Sequence, residues 1–331
     1  MVYRYVIAVA VLSHSMTTNV TRADTPNDIV WVAPPAVNDD IQPFTPRRLM
    51  RRTGVVQSID DRTLVFVATG ETTASQIPSD RVVWAEPDFA DPETEAAVRT
   101  YREGDFKAAI PLLLESVTRR PTVWRAQWLS MHLWQAAYQA ERYPATLELV
   151  TQIDARPIPA FVVGGLPIHW AGERPSAPAL EAARNALALA DRPGATKLVA
   201  ASWLLGQPND QMAVSTLQTL VLQKERPLVA QLATMLLYRK TPPPELISQK
   251  RDWSQKLTKL PMTAQSGPVT LLADRVEAAG NAAEAVELFL TVGLTSTRPH
   301  MITPFARTRA ISLLERLGQN KDAIRLRGAT P

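Results

Sequence analysis

Two hydrophobic periods divide the chain. Between Thr53 and Trp84 the β-branched residues come in short runs, "TGVVQSI", "RTLVFVA" and "SQIPSDRVVWA", punctuated by Asp60-Asp61 and Gly70. Runs of this length between turn residues read as strands joined in hairpins, and thirty to forty such residues predict a half-barrel of three to five strands. After Pro92 the spacing changes to three and four, the period of amphipathic helices. It predicts helices over 93–103, 105–119, 122–141, 144–154, 177–190, 194–205, 209–224, 227–240, 244–260, 267–279, 281–293, 303–317 and 320–328, with Ser176, Asn209 and Thr303 as caps. Two stretches follow neither period. Residues 24–50 carry Pro26, Pro34, Pro35, Pro43 and Pro46 and read as an extended arm. Residues 155–175, "RPIPAFVVGGLPIHWAGERPS", are apolar but too broken by Pro and Gly for a helix. A loop of that kind packs down on the protein or holds a partner.

The break inside "YREGDFKAAI" decides the architecture. Gly104 can take the left-handed conformation that closes one helix, and Asp105 can cap the next. The break is therefore a turn between two antiparallel helices, and it returns at Gly280-Asn281 and at Gly318. In all three places an alanine, Ala109, Ala285 or Ala323, stands five residues after the glycine, where a small side chain lets two helices approach. "AYQAERYPATLEL" is a degenerate copy, with Tyr138 and Tyr143 in the places of Tyr101 and Phe106. Ala213 lies 72 residues before Ala285, two units of 36. Self-similarity at this period marks a stack of helical hairpins, none of which buries its apolar face alone.

Tyr101, Gly104, Asp105, Phe106, Ala109, Ile110 and Pro121 resemble the tetratricopeptide-repeat (TPR) pattern in identity and spacing. The clearest copy is 93–121, the later ones are eroded, and 154–205 has none. The resemblance implies a mainly α, TPR-like α-solenoid over 93–331. It also implies that Trp128, Met131, Gln135 and Tyr138 lie on the concave surface, where such arrays hold peptides. The alternative for these aromatic positions is packing between helices. Pro111 departs from the pattern and predicts either a kink or a later helix start. Residues 50–88 resemble a small SH3-like barrel, so the module is placed at 51–91. Its aromatic candidates are Trp31, Phe66 and Trp84, which either bind a ligand, fill the barrel or dock it on the helices.

Charge and composition narrow the function. The chain has 331 residues, 46% of them apolar, with 27 Pro against 13 Gly, which suits short helices with stiff joints. Residues 1–23 read as a secretory signal: Arg4, an apolar run from Val6 to Leu12, and Thr21-Arg22-Ala23 as a cleavage site. The run is too short to span a bilayer as a helix. Export to the periplasm or beyond is the expectation; a true start at Met16 would instead leave the protein cytoplasmic. Beyond residue 23, 34 basic residues face 32 acidic ones, so the charge is near zero and a nucleic-acid partner is disfavoured. Arg47, Arg48, Arg51 and Arg52 form one local basic cluster. Arg298, Arg307, Arg309, Arg316, Lys321, Arg325 and Arg327 form another, and either could meet an anionic surface. The absence of cysteine excludes disulfides, thiol catalysis and iron–sulfur clusters.

No catalytic motif emerges. His14, His132, His169 and His300 are scattered without metal-ligand spacing, and Gly164-Gly165 lacks the lysine and the strand–loop–helix setting of a phosphate loop. The acids Glu93, Glu95, Glu181 and Glu287 fall on solvated helix faces. No catalytic, cofactor or metal residue is assigned. The expected function is a non-enzymatic, exported scaffold that binds a protein or peptide on the concave face of the array. The alternatives are an enzyme with a pocket around 155–175 and His169 as base, and a binder of nucleic acid or anionic surface.

Overall fold

The computed structural model describes residues 27–35, 48–171, 174–295 and 302–328. The proposed signal, Arg47, Arg298 and His300 lie outside these. The chain is mainly α, fifteen helices among the described residues, with a five-stranded antiparallel sheet at the N-terminal side.

The strands are β1 (Asp28–Val32), β2 (Met50–Ile59), β3 (Thr63–Ala68), β4 (Ser75–Pro78) and β5 (Val82–Glu86), in the order β4-β3-β2-β1-β5. The segment read as an arm thus supplies β1, which pairs on both sides, with β2 and β5. Its alternation was legible in "DIVWV", where Val30 and Val32 are buried, but the surrounding prolines masked it. Long β2 serves two partners, β1 through Met50–Gly54 and β3 through Gly54–Ile59. Gly54 stands where they meet, and a Cβ there would lie 2.1 Å from the Val67 carbonyl oxygen. Only glycine allows that approach.

The helices are α1 (Pro92–Arg102), α2 (Phe106–Thr118), α3 (Val123–Gln139), α4 (Tyr143–Asp154), α5 (Ala160–Gly164), α6 (Ala177–Leu187), α7 (Gly194–Leu204), α8 (Gln211–Val221), α9 (Pro227–Leu237), α10 (Pro243–Ser248), α11 (Lys250–Thr258), α12 (Ser266–Ala278), α13 (Ala282–Thr295), α14 (Ile302–Arg316) and α15 (Asn320–Gly328). Neighbours pack in sequence, α1 on α2, α2 on α3 and α3 on α4, then α6 on α7, α7 on α8 and α8 on α9, and finally α12 on α13, α13 on α14 and α14 on α15. The predicted turns are present: Gly104, Gly280 and Gly318 all have positive φ. Asp105 caps α2 by accepting from the Ala108 amide at 3.1 Å. Ala109, Ala213, Ala285 and Ala323 are buried where the helices meet. In the degenerate copy Glu141 takes the left-handed place of the glycine, with φ 60°. Helix α2 runs from Phe106 through Pro111, whose side is exposed, so the pattern's early start holds.

Four local expectations differ. The predicted helix 244–260 breaks at Gln249 into α10 and α11, and 155–175 contains the short helix α5. Thr303 lies inside α14, and Asn209 is left-handed (φ 64°), one residue before the start position Asp210.

Sheet and helices share one apolar core. Asp28, fully buried at the head of β1, ties them together. Its Oδ2 accepts from the Val56 amide (3.0 Å), and its Oδ1 from the Asp88 amide (2.9 Å) and the Arg125 guanidinium on α3 (2.7 Å). A carboxylate out of water needs this many donors.

Candidate functional site

The strongest sequence candidates converge on one face of α3, and that face is filled by the chain itself. Trp128, Met131 and Gln135 are each less than 5% exposed, and Tyr138 is half-buried. Residues 157–171, buried almost throughout, lie across them. This corrects the picture of an open groove: the long apolar loop packs down, and its seat is the face expected to hold a partner.

The seat is built from donors. Gln127 Nε2 donates to the Pro157 carbonyl (3.0 Å). Trp134 Nε1 and Gln135 Nε2 both donate to the Gly165 carbonyl (3.1 Å each). Trp203 Nε1 on α7 donates to the Pro167 carbonyl (2.7 Å), and Arg239 donates to the His169 carbonyl (2.9 Å). The His169 amide donates in turn to Ser202 Oγ (3.1 Å). Gln135 is itself oriented by the Tyr101 hydroxyl, which donates to its Oε1 at 2.7 Å. Among the described residues, every bond from the helices of the array to these carbonyls comes from a side chain.

Glycines fit the segment to its seat. A Cβ on Gly165 would come within 2.8 Å of Met131 Sδ, and one on Gly164 within 2.4 Å of the Thr263 carbonyl oxygen, in the 3-10 turn 262–264. On the opposite wall, a Cβ on Gly267 of α12 would fall 2.0 Å from Trp170 Nε1. Apolar contacts complete the closure. Trp84 of β5 stands edge-on to Trp128 and Phe161, with ring centroids 6.2 and 5.8 Å away. Of the aromatics of the sheet, Phe66 is fully buried in it and Trp84 docks it on the helices.

His169 is 4% exposed, between Tyr138 and Trp203. Its Nε2 meets the Tyr138 hydroxyl. Burial, with the Arg239 charge second, pushes its pKa down to about 3. A sealed, neutral imidazole serves packing better than proton transfer to a substrate. His132 is also buried, with Nδ1 at 2.9 Å from the Trp128 carbonyl and its ring on the Trp128 indole. Among the described residues no cluster of three or more His, Asp and Glu side chains is placed to hold a metal.

The described arginines of the C-terminal basic cluster are committed within the fold. Arg307 donates to the Leu326 carbonyl, Arg309 and Arg316 pair with Glu277, Arg327 with Glu315 and Arg325 with Asp322. Arg51 and Arg52 sit exposed on β2 opposite Trp31 and Val30.

Sequence reading missed Trp134, Ser202, Trp203 and Arg239 as parts of the seat. Trp203 lies within 154–205, where no repeat copy aligns it. A separate open groove of about 500 Å³ lies between α13, α14 and α15, floored by Val286, Leu290, Leu314 and Leu326. No described helix is long and apolar enough to cross a membrane. Set against known protein families, curated proteins and solved structures, the chain has no match.

Proposed function

We propose that this chain is a non-enzymatic scaffold, exported to the periplasm or beyond, that holds an extended segment of a protein on the inner face of a TPR-like helical array. One observation carries this reading. Side chains of α3, α7 and the turn after α9 donate to four carbonyls of an irregular apolar chain. Donors aimed at a backbone grip peptide of many sequences, while apolar pockets between them add selectivity. The TPR-like reading draws support from the recurring left-handed turns and buried alanines. The SH3-like reading draws support from the strand order and the 3-10 turn 79–81 before β5. The sheet then acts as a wall of the scaffold, since Trp84 is spent on docking.

Capture from the exported fraction tests the reading. Gln135→Ala with Arg239→Ala removes backbone donors with less disturbance than Trp128→Ala, which would empty part of the core. Wild type is expected to retain a protein that the double variant loses. Equal retention by both would end the groove reading.

A further inference from the structure

Residues 157–171 have the features of a bound peptide that happens to be covalently attached. Their only regular element is the five-residue α5. Side-chain donors of the array reach the segment's carbonyls, and the Ser202 hydroxyl accepts from its His169 amide, so these bonds can break without opening a helical ladder. Three glycine contacts and the paired donors on Gly165 show a shape matched at the level of the backbone. We infer that residues 157–171 are a tethered ligand, and that the inner face takes an extended Gly- and Pro-containing apolar peptide of a partner protein in its place. This rests on the scaffold reading and adds its regulation: the site is occupied in cis and opens by local release.

The occupant class follows from the seat. With nothing projecting from its α-carbon, Gly165 lies against Met131 while its carbonyl meets two donors. Gly164 must likewise lie flat against the Thr263 carbonyl. An incoming peptide therefore needs two small residues in succession at this point. Apolar residues must precede them, where Phe161 meets Trp84, and follow them, where Trp170 meets Gly267. Tethering keeps the competitor at high effective concentration, so binding in trans is weak until the tether's fit is reduced.

Two measurements decide it. Amide hydrogen exchange on the wild-type chain reads whether the segment opens alone. Protection over 157–171 is expected to be at least about tenfold lower than over α3 and α7; equal protection would mean that the segment leaves only when the whole protein unfolds, and would overturn the inference. The second uses a fluorescent synthetic peptide of residues 157–171 with wild type and Gly164→Ala, whose new methyl collides with Thr263. The variant is expected to bind the peptide at least about tenfold more tightly than wild type, and a peptide with alanine in place of both glycines is expected not to bind. Equal affinity for the two proteins, or for the two peptides, would overturn it. If Gly164→Ala fails to fold, the exchange result on wild type decides alone. Local opening with no protein captured from the exported fraction would remove the scaffold role and keep the tethered segment. Capture with uniform exchange would place the partner elsewhere.

Discussion

The first four helices and the last four are built on the same turn yet end differently. In both, a left-handed residue closes one helix and a buried small residue follows five positions later: Glu141 and Thr146 in the first region, Gly280 and Ala285 in the last. Between α1 and α4 the inner side chains are Trp128, Trp134 and Tyr138, and residues 157–171 pack beside them and take hydrogen bonds from the Trp134 indole and at the Tyr138 hydroxyl. Between α12 and α15 the residues are Val286, Leu290, Leu314 and Leu326, and a groove stays open beside them. The difference teaches that the repeat fixes the backbone course only. What lies against the array depends on the inserted segment and on the indole and amide donors that receive it.

The contrast can be broken most severely from the filled side. Trp203→Ala removes a fully buried indole and the donor to Pro167, and is expected to cost about 3–5 kcal/mol in urea unfolding. Asp28→Ala leaves Arg125 mostly buried without its partner, at a cost of about 3 kcal/mol or more by the same measurement.

Acid sharpens the comparison next. The His169 pKa is lowered to about 3 from an ordinary 6.5. Between those values the unfolded chain binds a proton that the folded chain does not, so stability is lost as pH falls from 6.5 toward 3. The slope approaches about 1.4 kcal/mol per pH unit for one proton. His169→Gln is expected to flatten that part of a urea-midpoint titration; an unchanged slope would remove His169 as its source.

The shared turn gives a smaller, opposed pair. Glu141→Gly relieves a left-handed glutamate and is expected to gain about 0.5–1 kcal/mol. Gly280→Ala imposes the same strain at φ 91° and is expected to lose about 1 kcal/mol. Thermal unfolding of both checks the sign. The smallest effect belongs to the open groove. Leu317 is 41% exposed there, and Leu317→Asp is expected to change stability by less than about 0.5 kcal/mol.

The helices were legible in the sequence because their signals are local. Gly104 and Asp105 announce a turn whatever surrounds them, and the predicted boundaries of α1 to α4 lie close to those observed. The strand β1 was hidden because five residues between prolines gain their stability from β2 and β5, partners distant in sequence. The site was half legible. Spacing on α3 put Trp128, Met131, Gln135 and Tyr138 together, as any helix would. Nothing local says that Gly164 meets Thr263, or that Trp203 and Arg239 reach the same segment from distant parts of the array. Whether an apolar Pro- and Gly-rich loop stays out or folds in depends on those long-range contacts.

The absence of cysteine makes the central claim directly measurable, because a single introduced thiol is the only one present. Val163 is 5% exposed within the segment and Leu222 is 77% exposed at the end of α8. If residues 157–171 fill the inner face, the thiol of Val163→Cys reacts with a soluble disulfide reagent about a hundredfold more slowly than that of Leu222→Cys, by the ordinary exposure dependence of thiol chemistry. Equal rates in the native protein would show the segment lying in solvent, and the filled face would be contradicted.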